Sequence, residues 1–117
     1  MVGKWHLGTA QTSSLPKNRG FDKHFGMLMG STDHWSHKWA PEDGNVRRAL
    51  NISSDYDTLR GVDLWEGDAP AKDAAVGENS CELMGDKAVK YIKDNSGKPL
   101  FLFVSWHEVC AARAART

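Results

Sequence analysis

The stretch SCELMGDKAVKYIKDNSGKPLFLFVSW, residues 80–106, carries the clearest structural signal in the chain. Cys81, Met84, Ala88 and Ile92 recur at steps of three and four, the spacing that gathers side chains on one face of an α-helix, so a helix is predicted over Ser80–Asp94. Asn79 or Ser80 stands where a side-chain oxygen can cap the first turn. Asn95, Ser96 and Gly97 stop the helix, and Pro99 follows at the distance expected just past a helix end. Residues 100–106 are then almost continuously apolar, which predicts a strand covered on both faces, as in a mostly parallel sheet. A helix followed by a buried strand is half of a βαβ unit, and the fold class expected is α/β.

Working outward, the pattern weakens. Met1 and Val2 run straight into Gly3, which reads as the end of a strand meeting a loop. Residues 8–20 are polar and broken by Pro16 and Gly20, so an irregular surface loop is expected there. Residues 21–39 hold Phe21, Phe25, Leu28, Trp35 and Trp39 among His24, His34 and His37 with no sustained period, which predicts a short helical turn and compact loop. Residues 40–77 are rich in turn formers, with one short strand expected at residues 62–65. The tail, residues 110–117, consists only of Cys, Ala, Arg and Thr and breaks sharply from the preceding strand.

A length of 117 residues fits one small domain. Fifteen basic side chains balance 15 acidic ones, so there is no basic field for nucleic acid and no acidic block. No apolar run approaches the roughly 20 residues of a membrane-spanning helix, and the opening MVGKWHLG lacks the charged flank and apolar core of a signal peptide. Cys81 and Cys110 form no metal-type pair. Five tryptophans and 11 glycines point to loops anchored by aromatic rings, a composition that suits a ligand-binding surface.

Several residues can do chemistry. Lys4 and His6 lie two apart, and on an extended backbone both point to one face with Trp5 on the other, so an ammonium and an imidazole can meet one anion. The alternative is a strand end with two exposed polar residues over a core Trp5. His34 and His37 have the spacing of a helical metal pair but no evident third ligand, and contact of Asp33 or His34 with a substrate beside Trp35 is the better reading. His107 follows the expected buried strand directly, where sites of open α/β sheets lie, with Glu108 placed to orient it; the alternative is that both are simply exposed. Asn51, Ile52 and Ser53 form a glycosylation sequon that has meaning only in a secretory pathway.

The string Gly3-Lys4-Trp5-His6-Leu7-Gly8 as a whole resembles the second signature of the type I sulfatases, the arylsulfatase family. The likeness continues through Leu15-Pro16, Arg19-Gly20-Phe21-Asp22, Phe25-Gly26, Gly30-Ser31 with Asp33, Ala49-Leu50-Asn51 and Asp63-Leu64-Trp65, at spacings similar to arylsulfatase B-like members. It implies an incomplete alkaline-phosphatase-like α/β domain over residues 1–109, with residues 110–117 atypical. It implies further that Lys4 holds the nucleophile and a sulfate oxygen, that His6 hydrogen-bonds the nucleophile and helps release sulfate, and that Ser31, Asp33 and His34 lie at the substrate. The family's nucleophile is a formylglycine from an upstream motif that this sequence lacks, and its calcium ion takes ligands from outside these residues, so no metal residue and no bound cofactor is assigned. The family's second sulfate-binding histidine falls on Cys110, a weak hydrogen-bond donor, with His107 three residues early. The expected function is that of a sulfuric ester hydrolase acting on a small-molecule or glycan sulfate ester, inactive or nearly so as this chain, from an exported, periplasmic or lysosomal parent. The alternatives are a non-catalytic sulfate- or glycan-binding piece and an unfolded product.

Overall fold

A five-stranded sheet organises the chain, seen in a computed structural model that describes residues 1–39, 61–71 and 77–107. Its strands are β1 (Val2–Gly3), β2 (Phe25–Gly26), β3 (Trp65–Glu66), β4 (Ala69–Pro70) and β5 (Val104–Ser105), in the order β4-β3-β2-β1-β5. Val2 stands opposite Phe25 on one side and Val104 on the other, both in parallel, whereas β3 runs antiparallel to β2 and to β4. Helix α1 (Ser80–Asp94) lies on this mixed sheet, and the class is α/β as expected. Asn79 caps α1 by accepting from the Cys81 amide at 2.8 Å.

The core gathers Val2, Phe25, Met27 and Leu64 from the sheet side with Met84, Ala88 and Tyr91 from the helix. The helix bounds agree with the periodicity, but the buried face is turned. Ser80, Met84, Ala88 and Tyr91 point inward while Ile92 is 54% exposed, a rotation of roughly 50° at 100° per residue. Tyr91 supplies a long apolar body that reaches the sheet, and Ile92 lies past its edge.

Residues 100–106 depart further from expectation. Among the described residues Val104 and Ser105 pair with β1 on one side, and the segment is not covered on both faces. Leu102 and Val104 lean on the core, but Phe101 is 80% exposed and Phe103 48%, touched on that face by the Phe21 ring. The period of two reappears because α1 covers a single face. Gly3 explains the tight seam: a Cβ there would lie 1.9 Å from the Ser105 carbonyl oxygen, and its φ of +106° favours glycine.

The surface loop expected at residues 8–20 contains two 3₁₀ turns, Thr12–Ser14 and Pro16–Arg19. Residues 21–39 supply β2 and an antiparallel bridge from Thr32 to Trp39, where a helical turn was expected. The strand expected at residues 62–65 lies two residues on at Trp65–Glu66, preceded by a bridge from Val62 to Lys38. The sequon at Asn51, Glu108, and the tail from Cys110 lie outside the described residues.

Candidate functional site

The chain leaves β1 between two other segments. Lys4 N donates to the Ser105 carbonyl at 2.8 Å, Trp5 N to Met27 at 2.9 Å and His6 N to Leu28 at 3.1 Å. Trp5 anchors this exit, because its indole N–H donates to the Ser14 carbonyl at 2.8 Å and its ring packs with Met1, Leu28 and the edge of Phe21. The regular extended run ends at Gly3, so strand alternation does not bring Lys4 and His6 together as the sequence implied. His6 instead takes a left-handed φ of 51°, a conformation that costs a non-glycine residue energy and persists only where surrounding contacts impose it. That turn lays its imidazole over Gly30, where a Cβ would come within 2.6 Å of Cε1. Gly30 is therefore the floor beneath His6.

The floor is held from a distance. Asp63, 5% exposed, accepts at Oδ1 from Leu28 N (3.0 Å) and at Oδ2 from Met29 N (2.8 Å) and Thr32 Oγ1 (2.9 Å), with a further bond from the Trp65 side chain. Burial pushes this carboxyl up, and the four bonds act against that shift. Asp63 belonged only to the family-like string Asp63-Leu64-Trp65 in the sequence; nothing in its neighbours announces the loop it holds.

Behind the floor stand two more imidazoles. His107, 3% exposed, lies against His34 with the rings tilted by 33° and their centroids 4.4 Å apart. His34 Nδ1 shares a 3.0 Å hydrogen bond with Ser80 Oγ, and the Ser80 amide donates to the His34 carbonyl at 2.9 Å, which ties the start of α1 to this pair. Burial first, then the charges of His34 and Lys4, push His107 down to about 4, against the pull of the Gly30 carbonyl. His107 is thus a neutral imidazole at ordinary pH, and its Nδ1 is buried with no hydrogen-bond partner among the described residues. Gly30 thus meets both His6 and His107, and His107 in turn faces His34 and feels the charge of Lys4.

Ser31 and Asp33 sit beside this cluster on the surface. Asp33 Oδ1 accepts from Trp35 N (3.1 Å), Ser36 N (2.7 Å) and Ser36 Oγ (2.7 Å), closing a local turn. Partial burial pushes its carboxyl up, but these bonds and the neighbouring His34 outweigh it and hold it below its ordinary value. His37 also has a left-handed φ, of 54°, and its Nε2 meets the Glu78 carbonyl at 3.1 Å, while His34 turns to Ser80. The two histidines do not share a ligand. Among the described residues no three histidine, cysteine or acidic side chains converge on one point, and both Asp63 oxygens are engaged. A calcium ion takes about six or more oxygens, and these residues do not offer such a cage.

His6 is thus exposed, whereas His34 and His107 are buried. The sulfatase family model matches residues 1–109. Arylsulfatase J of Mus musculus is 34% identical over 110 residues, covering 93% of this chain and 16% of that protein. An arylsulfatase of Hemicentrotus pulcherrimus is 28% identical over 111 residues, covering 91% of this chain and 18% of its own length. The crystal structure of Ps i-CgsB in complex with k-i-k-neocarrahexaose superposes with a TM-score of 0.67 at 20% identity, over 98% of this chain and 24% of that one. A second structure of Ps i-CgsB gives 0.60 at 21% identity, over 92% and 23%. The chain spans less than a quarter of each of these relatives, and it belongs to the sulfatase family, of whose domain it represents a part.

Proposed function

We propose that this chain forms the anion-holding wall of a sulfuric ester hydrolase that acts on sulfated sugars. The observation that carries the reading is His6 held against Gly30, next to a buried His107 that lies close enough to Lys4 to feel its charge. A sulfate ester is a tetrahedral anion whose transition state spreads negative charge over its oxygens, and a lysine fixed by the β1–β5 seam meets that charge without reorganising. His6, accessible and held against Gly30, is placed to hydrogen-bond an attacking hydroxyl and to move its proton. A neutral His107 adds a polar wall without a second fixed charge. The arylsulfatase names of two relatives support the ester class, and the carrageenan oligosaccharide in the structural neighbour supports a glycan carrier. The formylglycine and calcium of the family are not supplied by these residues, so the roles of Lys4 and His6 stop at binding and proton transfer.

Titration of the 117-residue chain with inorganic sulfate, followed by the nitrogen shifts of the Lys4 and His6 side chains, tests this. Saturable shifts at both, lost in Lys4→Ala and in Gly30→Ala, are expected. The alanine at residue 30 drives its Cβ against the His6 ring. A folded sample whose Lys4 and His6 signals ignore sulfate overturns the reading. No turnover of 4-nitrophenyl sulfate by the chain is expected, because loss of a nucleophile alone costs on the order of a million-fold in kcat. Hydrolysis that vanishes in Lys4→Ala would place a nucleophile within these residues after all.

A further inference from the structure

A cleft of about 340 Å³ is lined by Trp39, Trp65, Met29, Val62 and Thr9. Met29 is the residue before Gly30, so this wall begins one Cα–Cα step, about 3.8 Å, from the glycine that touches the His6 ring. We infer that this cleft is a sugar subsite, which holds a neutral pyranose ring of the sulfated substrate through its two indoles while the ester group reaches Lys4 and His6. The inference rests on the reading of Lys4 and His6 as the sulfate site.

Three features favour a sugar ring over other occupants. Both indoles are half-buried, so each is anchored and still shows surface to the cleft. Trp65 is fixed on two sides, by its bond to Asp63 and by packing with Met1, Trp5 and Leu28, and Trp39 is tethered through its amide to the Gly61 carbonyl at 3.0 Å. Such rigid aromatic faces suit the C–H face of a pyranose, which is apolar on one side and rimmed by hydroxyls. Among the described residues that line the cleft none offers an accessible charge: their one acid, Asp63, is buried and engaged by two backbone amides and a hydroxyl, so a second anion finds no counter-charge among them. Thr9 Oγ1 donates only to the Met29 sulfur, at 3.6 Å, a weak acceptor that a sugar hydroxyl would replace readily.

Methyl β-galactopyranoside is the neutral probe, because its axial hydroxyl leaves one face with three C–H groups. Titrated into the 117-residue chain, it should shift the indole N–H signals of Trp39 and Trp65 saturably and leave Lys4 unmoved. Trp39→Ala should weaken this binding at least about fivefold, the loss of one aromatic contact. Trp65→Phe serves beside it, since Trp65 also packs in the second apolar cluster and its alanine variant would perturb the fold. Sulfate that shifts Lys4 and His6 while the glycoside leaves both indoles unmoved overturns the subsite and spares the sulfate reading. Glycoside that shifts the indoles while sulfate leaves His6 unmoved does the reverse. Equal shifts with cyclohexanol would show a merely apolar cleft and overturn the sugar assignment.

Discussion

Helix α1 and residues 21–39 press on the same core, yet the sequence encodes them in opposite ways. Everything that makes α1 lies within it or next to it: the Asn79 cap, the recurrence of Met84 and Ala88, and the Asn95 to Gly97 stop. Residues 21–39 show no period, and apart from the turn at Asp33 and the Thr32–Trp39 bridge their fixed points are supplied from far along the chain. Phe25 pairs with Val2 and Glu66, Leu28 and Met29 bond to Asp63, and His34 bonds to Ser80. A helix can be written locally because its hydrogen bonds close within four residues, whereas a site floor needs partners from several strands. Damage to the first should stay local, and damage to the second should travel.

The sharpest way to break that contrast is at Gly3, where the strands converge. Gly3→Ala puts a Cβ 1.9 Å from the Ser105 oxygen at a φ of +106°, so β5 must leave β1 and Lys4 loses its anchor. We expect a loss on the order of 4 kcal/mol or more, read as collapse of the cooperative urea transition. An unchanged midpoint would show that the parallel seam does not hold the fold.

Acid should act next most strongly, again through the non-local part. Burial, then the positive N-terminus, push His24 down to about 4, against the carbonyls of Gly3 and Gly67 and the charge of Asp68. His107 lies equally low. The unfolded imidazoles take up protons near their ordinary value of about 6.5, so between there and about 4 the unfolded chain binds protons that the folded one refuses. Stability should be flat above the upper value, fall as pH drops through this window, and flatten below it. Each histidine can contribute up to about 3 kcal/mol. Asp63, raised by burial, works in the opposite direction as it titrates. Urea midpoints across the window provide the measurement, and stability that stays level from pH 7 to pH 4 would show both imidazoles to be charged in the folded chain.

Asp63→Asn tests the floor itself. The amide keeps one acceptor for the donors at Leu28, Met29 and Thr32 and turns a donor toward the rest, at a cost of about 2 kcal/mol. Hydrogen exchange should quicken at Met29 and Gly30 while amides of α1 keep their protection. Equal quickening in both regions would show that floor and helix open as one unit.

How much was legible follows the same division. Lys4 and His6 stood out as a pair and as part of a specific string, and His6 rests on Gly30 by a left-handed turn that no pattern of polar and apolar residues encodes. His107 was marked by its place after a strand, and the structure buries it against His34. Asp63 gave no signal of its role because three of its four partners, Leu28, Met29 and Thr32, are more than 30 residues away. The strand at residues 100–106 was misjudged on its second face, since continuous apolarity cannot say how many layers cover it. β2 was missed because its two residues, Phe25 and Gly26, are too few to show a period of two.

The smallest effect expected is at the helix cap, and it probes where the two regions touch. Asn79→Ala removes the acceptor of the Cys81 amide and should cost about 1 kcal/mol, the usual value for a lost N-cap. Glu82 in the first turn still faces the positive end of the helix, so the rest of α1 should keep its protection. Fraying would be confined to the first turn. That turn includes Ser80, whose hydroxyl bonds His34 Nδ1 and whose amide bonds the His34 carbonyl. A local change in α1 should therefore reach the site at one point only: the His34 ring signals should broaden or shift while those of His6, which rests on Gly30, stay in place. Movement of the His6 signals to the same degree would mean that the helix start and the floor are coupled directly, and the contrast between a locally written helix and a remotely assembled site would then fail at their junction.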